Sequence, residues 1–319
     1  MGADPAALIA DAQLDLALFD DPENTIAFAE LGRFLELCAA RTLCPHLGLL
    51  IGEHSGLQVL GVVGKLAACS KDLGSALRNI ILYLHLHDRG AVPALILGGE
   101  RAVFAYVIHE SDALGTEIIY DAALLIACNT LRDLAGPGWE PVEVCLTRPP
   151  PARIGPYRHF YRAPVRFGAE QNAVVFDAGW LTHPLGGSDS SAQECLLREI
   201  DRLEAEGSGS LAAQLRRILF RLFISGSAQG ETSLEYVSSL FALHRRTLNR
   251  RLQAEGTTFK ALIDAARYDI ARQLLRDTQL TTSDIAINLG YADVTAFCRA
   301  FRRWSGSSPA AWRKDIKPA

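Results

Sequence analysis

The sequence predicts an α+β front half, with helices around a small antiparallel sheet, joined to an all-α back half holding two helix-turn-helix units. Three observations predict it. Short β-rich runs lie among amphipathic helices only in the first 180 or so residues. A helix-turn-helix pattern at 283–304 repeats a related one about fifty residues earlier, at 234–253. Charge is segregated: residues 231–319 hold 14 Lys and Arg against 9 Asp and Glu, and residues 1–230 hold 18 against 27, so +5 and −9 lie within the net −4. With 319 residues and 49% hydrophobic content, the chain is long enough for two cores. Three segments are expected: a front domain at 1–185, a linker carrying a helix at 186–210, and a helical domain at 211–319.

Taken in order, residues 6–52 carry helical apolar faces, broken at Asp20-Asp21-Pro22. A helix over Leu73 to His87 buries Leu77, Ile80, Ile81 and Leu84. Residues 91–97 and 101–108 are β-rich and separated by Gly98-Gly99-Glu100, a hairpin signal. A long apolar helix from about Glu117 to Leu134 follows, then strands at 141–146, 165–167 and 173–176, with a short aromatic-basic helix at 152–161. Gly186-Gly187-Ser188 opens the linker. Its helix, 192–206, has Leu196, Leu197, Ile200 and Leu203 on one side, a stripe that suits its own domain or a dimer seam.

Several function classes are excluded as expectations. The first residues lack a basic segment followed by an unbroken apolar core, and no apolar run approaches the roughly 20 residues needed to span a bilayer, so a cytoplasmic protein without a membrane partner is expected. Seven scattered cysteines without a CxxC pair fit neither a disulfide framework nor a zinc finger. His85 and His87 point apart on a helix, so no metal is expected there. No nucleophile elbow, P-loop, HExxH or dinucleotide fingerprint occurs, so neither an enzyme nor a cofactor is expected.

The back half carries the chemistry. In the second unit Phe297, Phe301 and Trp304 recur at i, i+4, i+7, and the opposite face bears Val294, Thr295, Cys298, Arg299 and Arg302. A helix held by aromatics behind, with small residues and arginines in front, suits insertion into a DNA major groove. In the first unit Leu248 and Leu252 face inward, while Arg246, Asn249 and Arg250 share another face. Arg pairs bidentately with guanine and Asn with adenine. Arg245, Arg251, Lys260, Arg302 and Arg303 are expected on phosphates, where they set register without reading sequence. Between the units, 259–276 forms a helical strut of roughly 27 Å. That length suits two reading helices set one turn of B-DNA apart. The competing possibilities are a surface helix whose arginines merely face water and an ordinary seven-helix domain with a protein partner.

The run from Leu234 to Trp312 resembles the DNA-binding domain of the AraC/XylS family of bacterial transcription regulators. The resemblance is carried by Arg246-Thr247-Leu248-Asn249-Arg250-Arg251-Leu252, Gly256, Phe259, Arg267, Ile285-Ala286, Leu289-Gly290-Tyr291, Phe297, Arg299-Ala300-Phe301-Arg302-Arg303-Trp304, Gly306 and Pro309. It implies base reading by Arg246, Asn249 and Arg250, and by Val294, Thr295, Cys298 and Arg299. Three positions depart from the pattern: His244 stands for the usual Ser at the first reading helix's cap, Ala242 for the turn glycine, and Trp312 for a Tyr.

Residues 57–89 and 139–185 are similar to the so-called arabinose-binding effector domain of the AraC subgroup with ornithine-utilisation and virulence regulators. The resemblance implies a dimeric, ligand-responsive regulator, an activator or a repressor, that acts with RNA polymerase; activation is the expectation taken forward. A front half that is a protein-interaction module without a small-molecule effector is the alternative. Tyr83, His85, Tyr106, His109, Glu117 and Tyr120 are candidate polar anchors of an effector pocket. A buried Tyr or His satisfied by the backbone is the commoner state of such residues.

Overall fold

A computed structural model describes residues 3–21, 24–108, 114–206, 211–224, 232–241, 243–277 and 280–316. The chain divides into two compact units, Met1–Ala91 with Leu97–Leu196, and Leu197–Ala319 with the short segment Val92–Ile96.

In the first unit the helices are α1 (Pro5–Asp11), α2 (Phe28–Thr42), α3 (Leu47–Glu53), α4 (Gly61–Ala68), α5 (Leu73–Tyr83), α6 (Thr116–Ala135) and α7 (Gly155–Tyr161). The strands are β1 (Ala91–Gly98), β2 (Arg101–Ile108), β3 (Glu143–Leu146), β4 (Val165–Phe167) and β5 (Ala173–Asp177), in the order β1-β2-β5-β3-β4. Gly99 takes a φ of +60° in the turn between β1 and β2, a conformation that costs glycine little. Central β5 has Ala173, Val174, Val175 and Phe176 all buried, so it reads as a continuous apolar run rather than an alternating one.

The sheet is mixed, which corrects the expectation of a wholly antiparallel one. β5 runs antiparallel to both β2 and β3, but β3 and β4 pair parallel, with Val144 opposite Val165. Parallel neighbours need a crossover connection. The segment between β3 and β4 supplies it by carrying α7.

α3 packs closely along α6. A Cβ on Gly48 would lie 2.2 Å from the Ile118 carbonyl oxygen, and one on Gly52 would lie 2.8 Å from the Leu125 Cβ. These two glycines let the short helix lie against the long one's backbone. The expected 73–87 helix is shorter than its periodicity suggested: α5 stops at Tyr83 and a 3-10 turn covers Leu84–Leu86.

α8 (Ser190–Glu206) spans the division between the units. Beyond it come α9 (Leu211–Ile224), α10 (Leu234–Leu240), α11 (Arg245–Ala254), α12 (Phe259–Asp277), α13 (Thr282–Asn288), α14 (Val294–Ser305) and α15 (Pro309–Ile316). α9 packs along α12, and Leu215, Leu219, Ala266 and Ile270 are buried. Among the described residues no single helix is long and apolar enough to cross a membrane.

Candidate nucleic-acid interface

The first helix-turn-helix unit is α10 and α11. His244 stands where a Ser was expected to cap α11, and its ring does the same work: Nδ1 accepts from the Arg246 N–H at 3.3 Å. Ala242 lies outside the described residues. Leu248 and Leu252 are fully buried on the inner face, which leaves Arg246 and Arg250 exposed and Asn249 half-buried. Arg245 forms a 3.0 Å ion pair with Glu235 on α10. At the other end of α11, the Glu255 carboxylate accepts from the Leu211 and Ala212 N–H groups at 3.0 and 2.9 Å. Those are orphan donors at the positive end of α9, so the anion is well placed.

The second unit is α13 and α14. Thr281 and Asp284 make a capping box, with the Asp284 N–H donating to Thr281 Oγ1 at 3.2 Å and the Thr281 N–H to Asp284 Oδ2 at 3.0 Å. Gly290, at φ +71°, makes the turn. Asp293 caps α14 by accepting from the Ala296 N–H at 2.7 Å. Asp293→Ala is expected to cost about 1 kcal/mol and to loosen the first turn of α14; chemical unfolding with amide exchange at 294–297 measures both.

Phe297, Ala300 and Phe301 are buried behind α14. Phe301 meets Tyr268 of α12 at 5.7 Å between ring centres and Trp312 of α15 at 5.9 Å. Trp312 therefore packs as an aromatic in place of the family's Tyr. On the outer face Val294, Thr295, Arg299 and Arg302 are exposed and Cys298 is half-buried. The expected phosphate group divides. Arg303 sits 3.2 Å from Asp264 on the strut and over the Trp304 ring, whereas Arg251, Lys260 and Arg302 are exposed without such a pair among the described residues. Arg246, Arg250 and Arg299 likewise make no ion pair among the described residues.

Of the front-half anchors, Tyr106 and Tyr120 come together edge-on at 6.1 Å, in a cluster with Ile108, Ile119 and Phe28. The Tyr106 hydroxyl donates to Asp88, and the Tyr120 hydroxyl accepts from the Ile108 N–H at 3.3 Å. Burial pushes the Tyr106 hydroxyl well above the usual phenol range. Tyr83 ends α5, and the His85 ring lies 3.2 Å from the Leu82 carbonyl oxygen. Glu117 is exposed and pairs with Arg148 at 3.3 Å. His109 lies outside the described residues.

A polar cluster not singled out in the sequence joins α6, α7 and the segment after β3. Asp121 on α6 is 1% exposed; its oxygens lie 2.8 and 3.0 Å from Arg148 Nη2, and Tyr157 of α7 donates to it at 2.9 Å. Tyr161 donates to the Asp121 backbone carbonyl at 3.1 Å, and Arg132 to the Tyr161 carbonyl at 2.6 Å. Burial pushes the Asp121 carboxyl up to about 7, against the pull of Arg148 and the Tyr157 hydroxyl. One signal was available: Asp121 is a lone charge inside the apolar run Ile118-Ile119-Tyr120-Asp121-Ala122-Ala123-Leu124-Leu125.

Two helix-turn-helix units on one strut, each presenting a capped helix with an apolar back and a cationic front, define a DNA-binding transcription regulator. The chain belongs to the AraC family: residues 2–185 match the arabinose-binding domain of AraC transcription regulators, and residues 237–315 match a helix-turn-helix domain. It is similar to the ornithine utilization regulator of Pseudomonas aeruginosa, 27% identical over 98% of this chain and 91% of that one. It is also similar to the HTH-type transcriptional regulator VirS of Mycobacterium tuberculosis, 26% identical over 98% and 92%. Among solved structures, the transcriptional regulator CdpR from Pseudomonas aeruginosa aligns with 97% of this chain and 96% of its own, at 23% identity and a TM-score of 0.47.

Proposed function

We propose that this regulator binds operator DNA as a homodimer, each copy laying α11 and α14 in successive major grooves, and that a small molecule bound in the front half controls it. The observation that carries the DNA part is the unpaired state, among the described residues, of Arg246, Arg250 and Arg299 on two outward faces. Arg246, Asn249 and Arg250 read bases in one groove, and Val294, Thr295, Cys298 and Arg299 in the other. Arg251, Lys260 and Arg302 hold phosphates. Arg245 and Arg303 join them by exchanging their carboxylate partners, the exposed Glu235 and the half-buried Asp264. Such a protein acts in the cytoplasm, where it activates transcription by meeting RNA polymerase.

Footprinting and salt titration on duplexes selected from a random pool test this. Each copy should protect about two turns of DNA. Arg302→Ala should weaken all sequences alike and lower the salt slope by about 1. Protection of a single turn per copy, or a sequence-selective loss on Arg302→Ala, overturns the two-groove arrangement.

A second reading makes the front half a protein-interaction module. The internal engagement of Tyr106, Tyr120 and Glu117 favours it, because groups already partnered have less to offer a ligand. A ligand can act only by binding one arrangement more tightly than another, and it then raises the thermal midpoint. Midpoint shifts across a small-molecule panel support the effector reading, and a flat panel with a captured protein partner supports the module.

A further inference from the structure

The strut α12 carries an apolar stripe, Leu262, Ala266 and Ile270, and beside it a half-buried cation, Arg267. The Arg267 guanidinium lies 5.0 Å from the ring centre of Phe223 on α9 and 4.7 Å from that of Tyr291. Its Nε donates to the Leu289 carbonyl at 3.0 Å. Leu289 is the C-cap of α13, and with Tyr291 it flanks Gly290 in the turn of the second unit. One side chain thus fills an orphan carbonyl at a helix's negative end and stacks on the turn's aromatic. Tyr291 in turn packs on Phe297, behind α14, at 5.6 Å.

Phe223 connects this clamp to the first unit, because the other end of α9 is held by Glu255 at the end of α11. Arg216 on α9 also pairs with Asp269 on the strut. α9 therefore has one end fixed to the first reading helix and the other pressed on the residue that holds the second unit's turn. Arg suits this place where Lys would not: a planar cation stacks on two rings while an edge N–H donates sideways.

We propose that Arg267 is a positioning residue for the second reading helix: held between Phe223 and Tyr291, it sets the angle at which α14 enters the groove. This rests on the proposed reading role of α14. The strut alone fixes the separation of the two units, and Arg267 fixes the tilt of the second.

The test measures affinity of the full-length protein for a duplex carrying the site of one copy and for versions with either half of that site, the bases in one of its two grooves, scrambled. The half that Arg299→Ala ceases to discriminate is the second half. Arg267→Lys should bind the intact site about tenfold more weakly, the scale of one lost base contact. It should also lose most of the penalty for scrambling the second half and keep that for the first. Phe223→Leu should give the same pattern in smaller measure, and it decides the matter if Arg267→Lys unfolds. Equal loss at both halves, or undiminished discrimination at the second, overturns the proposal. If Arg299→Ala itself leaves both penalties intact, the groove assignment of α14 fails; if it removes one and neither clamp variant touches it, only the positioning role fails.

Discussion

At pH 5, Asp121→Ala is expected to lower the stability of the front half by about 3 kcal/mol, the scale of stranding a buried, charged hydrogen-bond partner. The side chain is 1% exposed and receives Arg148 Nη2 and the Tyr157 hydroxyl. Its removal strands a guanidinium that is 12% exposed, with only the exposed Glu117 left opposite it. It also leaves the Tyr157 O–H without an acceptor in a buried site, although its oxygen still accepts from Arg148, so the loss combines an unpaired charge with an unsatisfied donor. Asp121→Leu with Arg148→Met should recover much of the loss, because an apolar pair of similar volume carries no desolvation penalty. Urea unfolding of the parent, Asp121→Leu, Arg148→Met and the double variant, read as a cycle, measures this; additive losses would show that the two residues do not act as a pair.

The pH dependence of that loss has a definite sign. Burial raises the Asp121 carboxyl from 3.8 to about 7, so the folded protein holds this proton more tightly than the unfolded chain. The contribution to stability is therefore complete below about pH 4 and is lost as pH rises through 7. The difference in stability between the parent and Asp121→Ala should shrink from pH 4.5 to pH 8. A difference that grew over this range would mean that the Arg148 attraction outweighs burial.

The back half was legible from sequence because its signals are local. The i, i+4, i+7 aromatics of α14 and Gly290 each specify their own turn of chain, and the structure places them there. His244 shows the limit of reading by residue type: a ring nitrogen accepts the N–H that a hydroxyl was expected to take. The front half was less legible because its decisive contacts join distant segments. Asp121 and Arg148 are 27 positions apart, and nothing periodic links them. The parallel β3–β4 edge likewise depends on how α7 crosses, which short β-rich runs do not encode. Arg267 is visible in sequence as a position of the family pattern beside an apolar stripe; its packing role comes from Phe223 and Tyr291, 44 and 24 positions away by number.

Arg299→Ala is expected to cost about 1–3 kcal/mol on a preferred duplex and to relax preference at one base pair, leaving the salt slope nearly unchanged. The neighbours favour the proposed reading role of this arginine over an anchoring one. Thr295 and Cys298 on the same face are small, so the backbone of α14 can approach base edges closely, and Val294 adds an apolar group suited to a thymine methyl. Arg302, farther along the helix, should behave oppositely, with uniform loss and a lower salt slope. Arg246→Ala should repeat the Arg299 result at the other half-site. The combined variant should then lose the sum of the two single losses to within about 0.5 kcal/mol, because a strut of 19 residues, roughly 28 Å, separates the units. Binding titrations on single-base variants of the duplex measure each term. A loss on Arg299→Ala spread evenly over every sequence would place that side chain on the phosphate backbone.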